Sequence, residues 1–137
     1  MIVVLIVGIV AAIAIPSFSN VSQEARTKSL LGQLKTLRSQ LSLYKAQHDD
    51  TLPDLVNNQW AQMASTTNVS GTVDTTSTGI FGPYVNKTPV NPLNSNTIVA
   101  AGAGAGVGWI YDKSTGTLQA TNATVTLVFD DNTLVVQ

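Results

Sequence analysis

The sequence predicts an α+β protein: a long N-terminal α-helix, apolar in its first half and amphipathic in its second, packed on a small antiparallel β-sheet of three to four strands. Three observations carry that expectation. Met1 to Gln23 contains no charged side chain. From Leu30 to Tyr44, large apolar residues recur at steps of three and four, one stripe of an amphipathic helix. From Trp109 onward, short segments rich in alternating apolar residues are separated by Asp, Asn and Gly. The chain therefore divides into an apolar helical segment at 1–23, an amphipathic helical half at 24–50 and a head at 51–137.

The first segment reads MIVVLIVGIVAAIAI, with Pro16 next and the first charge at Glu24. Its 15 apolar residues make a helix of roughly 22 Å at about 1.5 Å per residue. A bilayer core of about 30 Å asks for about 20 residues, which the uncharged stretch to Gln23 supplies if Ser17, Ser19 and Asn20 sit at the interface. Fully burying one large aliphatic side chain is worth about 1.5–3 kcal/mol. A monomer in water cannot bury Ile2, Val3, Val4, Leu5, Ile6, Val7, Ile9, Val10, Ile13 and Ile15, so these are the expected membrane or filament-core positions. A secretory signal would need a basic start; Ala12-Ile13-Ala14 resembles a cut site, but no Lys or Arg precedes it. A simple membrane anchor is the other reading. Pro16 removes a helical hydrogen bond and disfavours helix at Ile15, and Gly8 is a second weak point, so a kink or local unwinding is expected between them.

Val21 to His48 has no proline and a single glycine, Gly32. Leu30, Leu34, Leu37, Leu41 and Tyr44 are the expected helix-to-head packing residues. Lys28, Lys35, Arg38 and Lys45 flank them and read as a solvated face. Joined to the apolar run, the helix spans about 45 residues, or about 70 Å.

The segment GIVAAIAIPSFSN (Gly8 to Asn20) closely resembles the N-terminal segment of type IV pilins and type II secretion pseudopilins, in which a glycine and a proline occupy this spacing in an apolar helix. FGPYVNKTPVNPL (Phe81 to Leu93) and GWIYDKSTGTLQA (Gly108 to Ala120) are similar to parts of pseudopilin-like heads, the major pseudopilin in particular. The resemblance implies a non-enzymatic structural subunit. Such a subunit waits in the lipid of the inner membrane, is processed by a prepilin peptidase, and is drawn by inner-membrane assembly machinery into a helical filament of its own copies. That filament is a periplasmic pseudopilus serving protein transport or a cell-surface fimbrium serving adhesion. The family's basic leader, its N-methylated phenylalanine and the glutamate that follows are not in this sequence and are expected upstream of Met1. With no cysteine, the disulfide loop of many Gram-negative surface pilins is excluded, which tilts the expectation towards the pseudopilin branch. The alternative is a membrane-anchored surface binding module that never polymerises.

In the head, Leu52-Pro53-Asp54 opens a short helix with Leu55, Val56, Trp60 and Met63 at roughly helical spacing. Ser65 to Gly79 is a polar, turn-rich loop and a candidate for O-linked sugar; the N-x-S/T triplets at Asn20, Asn68, Asn86 and Asn122 read as chance. Gly82-Pro83, Pro89 and Pro92 impose turns. AAGAGAGVG (Ala100 to Gly108) is a flexible or tightly packed loop. Trp109-Ile110-Tyr111 pairs with Thr117 to Ala120 through a turn at Lys113 to Gly116, and Thr124 to Phe129 turns at Asp130-Asp131-Asn132 into Thr133 to Val136.

Little chemistry is legible. The lone His48 sits beside Asp49 and Asp50 at the helix end, with no serine positioned for a triad; it reads as a C-terminal helix cation. The glycine run fails the G-x-G-x-x-G offsets. Asp130 and Asp131 are a candidate calcium pair, against a plain hairpin turn, and calcium wants six to eight oxygens; no other cofactor or metal is expected. Trp60, Trp109 and Tyr111 read as core rather than as a stacking platform. The chain is 11% charged, with a net charge of -1 and seven Lys and Arg, so no specific nucleic-acid partner is expected.

Overall fold

The computed structural model describes residues 2–76, 79–122, 127–130 and 133–136; of these, the side chains of 9–20 and 127–136 lie outside the description. Helix α1 (Ile2–Gln47) leads into a head of two single-turn helices, α2 (Leu55–Asn58) and α3 (Ala61–Ala64), and the strands β1 (Ile98–Ala100), β2 (Val107–Asp112), β3 (Thr117–Thr121), β4 (Leu127–Asp130) and β5 (Thr133–Val136).

The helical assignment of α1 runs from Ile2 to Gln47 through Gly8 and Pro16. A proline deletes the one hydrogen bond its missing N–H would donate, and the flanking turns keep theirs. The helix closes in left-handed backbone at Asp49 (φ 51°) and Asp50 (φ 62°), whose N–H donates to the Lys45 carbonyl at 3.1 Å. Aspartate tolerates this region better than most side chains.

Leu30, Leu34, Leu37, Leu41 and Tyr44 are all buried, and α1 packs against β3 along this stripe. The facing core is Leu55, Trp60, Met63, Val99, Trp109, Tyr111, Leu118 and Ala120. Trp60 and Trp109 meet edge-to-face at 5.9 Å, a geometry aromatic pairs favour. Their indole N–H groups donate to the carbonyls of Thr97 (2.8 Å) and Pro89 (3.2 Å).

The sheet is mixed rather than antiparallel throughout, a correction of the expected pairing. β1 runs parallel to β2, while β2 and β3 form an antiparallel hairpin with Trp109 opposite Ala120 and Tyr111 opposite Leu118. A parallel neighbour needs a connection that carries the chain back to the starting end of the first strand; here it is the 101–106 segment, with Gly106 at φ 78°. The backbones of β4 and β5 continue the strand order β1-β2-β3-β4-β5. The hairpin turn depends on Gly116, whose φ of 74° favours glycine and whose position lies 3.1 Å from Leu52 Cδ1 for any added Cβ.

Asn91 closes the far end of the β2–β3 ladder. It is fully buried; its amide nitrogen donates to the carbonyls of Gly108 and Thr121 at 2.8 Å each, and its oxygen accepts the Leu93 N–H at 2.9 Å. One side chain thus satisfies polar groups on both strands and on the incoming segment. Asn91→Leu removes all three bonds inside the core, and unsatisfied buried groups cost about 1–3 kcal/mol each; a loss of about 3 kcal/mol is expected, read as a lowered denaturant midpoint of the head's tryptophan fluorescence at unchanged slope.

Candidate functional site

The largest exposed apolar feature among the described residues is the start of α1. Ile2, Val3, Val4, Leu5, Ile6 and Val7 range from 54% to 77% exposed. Successive helical residues are about 100° apart (3.6 per turn), so six in a row point in every direction around the axis. A helix lying flat on a membrane keeps a polar face towards water, and this stretch has none. Val21, beyond it, is 63% exposed. Soluble monomers rarely leave contiguous apolar surface of this kind open. Gly8 has open space around it. The expected core positions Ile9, Val10, Ile13 and Ile15, and the side chain of Pro16, lie outside the described side chains. Among the described residues, no helix is long and apolar enough to cross a membrane.

The lower half of α1 is seated on the head by more than its apolar stripe. Arg38, expected on a solvated face, donates from Nε (3.0 Å) and Nη2 (2.7 Å) to the Leu118 carbonyl in β3. Two of the other flanking cations pair locally: Lys28 with Glu24 at 2.7 Å and Lys45 with Asp50 at 3.2 Å. Between α1 and the segment at 84–92 runs an open groove of about 590 Å³ lined by Gln33, Leu37, Gln40, Tyr84, Lys87 and Pro92 among others.

His48, at the end of α1, is buried in an aromatic nest. Its ring stacks on Tyr44 at 3.8 Å and meets the edge of Phe81 at 5.3 Å. Nδ1 lies 2.8 Å from the Tyr44 carbonyl, which can only accept, so Nδ1 carries a proton; Nε2 lies 3.0 Å from the Thr67 hydroxyl. Nδ1 thus ties the ring to α1, and Nε2 joins it to the loop after α3. That loop is more ordered than its composition suggests: Thr67 is buried, and its N–H donates to the Phe81 carbonyl at 2.9 Å.

Trp60, Trp109 and Tyr111 are all buried. Among the described residues the Tyr111 hydroxyl has no hydrogen-bond partner. Burial pushes its pKa up to about 12, with smaller contributions from Asp54, Asp112 and Tyr44. Asp112 is held below its ordinary range, first by the Ser114 hydroxyl, and Asp54 by the Asn57 side chain, with Lys113 at 3.3 Å adding to it. Among the described residues no cluster of His, Asp and Glu fits a metal, and the candidate calcium pair Asp130 and Asp131 lies outside the described side chains. In comparisons with known proteins, no family model, no curated protein and no solved structure matches this chain.

Sequence reasoning missed Asn91, Arg38, Thr67 and the roles of Gln59 and Trp60 at the sheet edge. Nothing local signals them, because the fold brings their polar partners near: backbone groups for Asn91, Arg38, Gln59 and Trp60, and the His48 ring for the Thr67 hydroxyl.

The unpartnered hydroxyl gives a testable pH dependence. A tyrosine whose folded pKa is raised favours folding fully below its unfolded pKa, near 10. That contribution is lost as pH rises from about 10 to about 12. Tyr111→Phe is expected to leave stability at pH 7 equal or raised by about 1 kcal/mol and to weaken the alkaline loss in that window, measured by chemical denaturation across pH.

Proposed function

We propose that the chain is a structural subunit of a type IV pilus-like or type II secretion pseudopilus filament, polymerising through its apolar N-terminal helix and lacking catalytic activity. One observation supports this reading above the rest. The apolar surface of Ile2–Val7 encircles a helix that runs on, unbroken, into the core of the head. Such a helix must be surrounded on all sides, first by lipid of the inner membrane and then by equivalent helices of other copies. The same helix fixes the head to whatever holds its start, so stacking helices arrays heads on the outside. The resemblance of Gly8 to Asn20 to pilins and pseudopilins adds the assembly route: a prepilin peptidase, then inner-membrane machinery that draws subunits into a periplasmic or surface filament.

The head's chemistry agrees with display rather than turnover. The lone histidine, at the head's junction with α1, is engaged through both ring nitrogens, and most polar side chains of the head are uncharged Ser, Thr, Asn and Gln.

Electron microscopy of material sheared from cells, with mass spectrometry of the chain it contains, tests the reading. Thin filaments carrying this chain with its apolar run retained are expected. A dispersed membrane protein with no filaments would instead support an anchored binding module that never polymerises.

Placing charge inside the expected helix bundle sharpens the test. Burying an unpaired carboxylate costs several kcal/mol. Val4→Asp with Ile6→Asp is therefore expected to lower filament yield by about tenfold or more. Both positions lie far from the core of the head, so its thermal unfolding should stay within about 1 °C of the parent, since distant sites act independently.

A further inference from the structure

The side of α1 turned away from the head carries Ala25, Gly32, Ser39 and Ala46, all exposed, at steps of seven. Helical residues seven apart drift by only about 20°, so these four form one row. They lie opposite the buried stripe from Leu30 to Tyr44. Lys35 stands beside the row, also exposed. Asp49, fourteen residues later and two past the end of α1, is exposed as well.

Gly32 has no role within its own copy that another residue could not fill. Its backbone is helical, and an added Cβ would meet nothing within 4 Å. Glycine is the poorest helix former after proline, so the fold of one copy does not call for it. The remaining use of a missing side chain is close approach by another chain.

Charge is divided along the chain in a matching way. α1 holds five cations against Glu24 alone, and everything after it holds seven aspartates against Lys87 and Lys113. Within one copy, Lys28 pairs with Glu24 and Lys45 with Asp50, while Arg38 holds the Leu118 carbonyl. Among the described residues, Lys35 and Asp49 have no ion-pair partner.

We propose that this face of α1 docks the same face of a second copy, lying parallel and displaced by fourteen residues, with Lys35 of one copy paired to Asp49 of the other. The displacement is about 21 Å at about 1.5 Å per residue. It sets Gly32 opposite Ala46 and Ala25 opposite Ser39, so short side chains meet short ones in the same register that joins the charges. Without displacement, Lys35 would face Lys35 and repel it. The parallel orientation rests on the filament reading above, because copies held by their Ile2–Val7 ends in one bilayer point the same way. A displaced contact joins unlike ends, and such heterologous contacts extend into filaments where they do not close into rings.

The chain has no cysteine, so introduced thiols report on this contact alone. Filaments sheared from cells carrying the full chain with Lys35→Cys and Asp49→Cys together, or with either alone, are treated with a mild oxidant and run on denaturing gels without reductant. The double variant is expected to give a ladder of dimer, trimer and longer products. Either single variant should give at least about tenfold less cross-linked product, since its equivalent thiols lie about 21 Å apart and a disulfide needs Cα atoms within about 7 Å. Filaments in which the double variant stays monomeric, or a single variant cross-links as readily, overturn the proposal and leave the filament reading standing. A parental chain that forms no filaments overturns both.

Gly32→Leu tests the face without thiols. Leucine is the better helix former and meets open space in its own copy, so the head's thermal unfolding should be unchanged or higher while filament yield falls about tenfold. Parental yield from Gly32→Leu overturns the proposal. The rival occupant of Lys35 is an anionic lipid headgroup. It predicts no ladder and weaker binding of Lys35→Cys to phosphatidylglycerol vesicles, a result that also overturns the proposal.

Discussion

The seating of Leu30, Leu34, Leu37, Leu41 and Tyr44 on the sheet is the interaction on which the rest of the structure depends. Helix α1 has no other large buried face among the described residues, and the head has no core without it, because Leu118, Trp109 and Tyr111 close against this stripe. The small sheet alone would expose one apolar side. At about 1.5–3 kcal/mol for each fully buried large side chain, five such residues outweigh any single polar contact in the molecule. The polar contacts decide registration instead. The Arg38 fork on the Leu118 carbonyl fixes where along β3 the helix lies, and the His48 bridge between Tyr44 and Thr67 fixes where it stops.

The two halves of α1 obey opposite rules on one continuous rod. In the lower half, apolar side chains are confined to one stripe and are covered. In the upper half, Ile2–Val7 are apolar in every direction and uncovered. A single chain can satisfy the first half by itself and can satisfy the second only with something outside it. Folding and association are therefore assigned to different segments, and the head can be stable whatever surrounds the upper helix.

Several of these features are legible from the residues alone. The stripe repeats at three and four, and a helix is the one element for which that spacing makes a single face. The Trp109–Ala120 hairpin announces itself through alternation and Gly116. The features that were not legible share a cause. Asn91, Gln59 and Arg38 bind backbone groups 17 to 80 residues away in sequence. Backbone partners leave no complementary residue type to search for. The parallel pairing of β1 was hidden because three residues beside a glycine-rich run carry too little pattern to show direction. The burial of His48 was not legible because Phe81 and Tyr84, whose rings pack around it, come from more than thirty residues later.

The alignment of the buried stripe with the axis of α1 has a mechanical corollary. A pull along the helix acts parallel to the row from Leu30 to Tyr44, so its side chains resist sliding together, in the manner of a lap joint. A pull across the helix would strip the same contacts one after another, from one end, like adhesive tape being lifted. The joint between rod and head is therefore anisotropic: strong against axial tension and weaker against sideways peeling, with the same residues responsible for both.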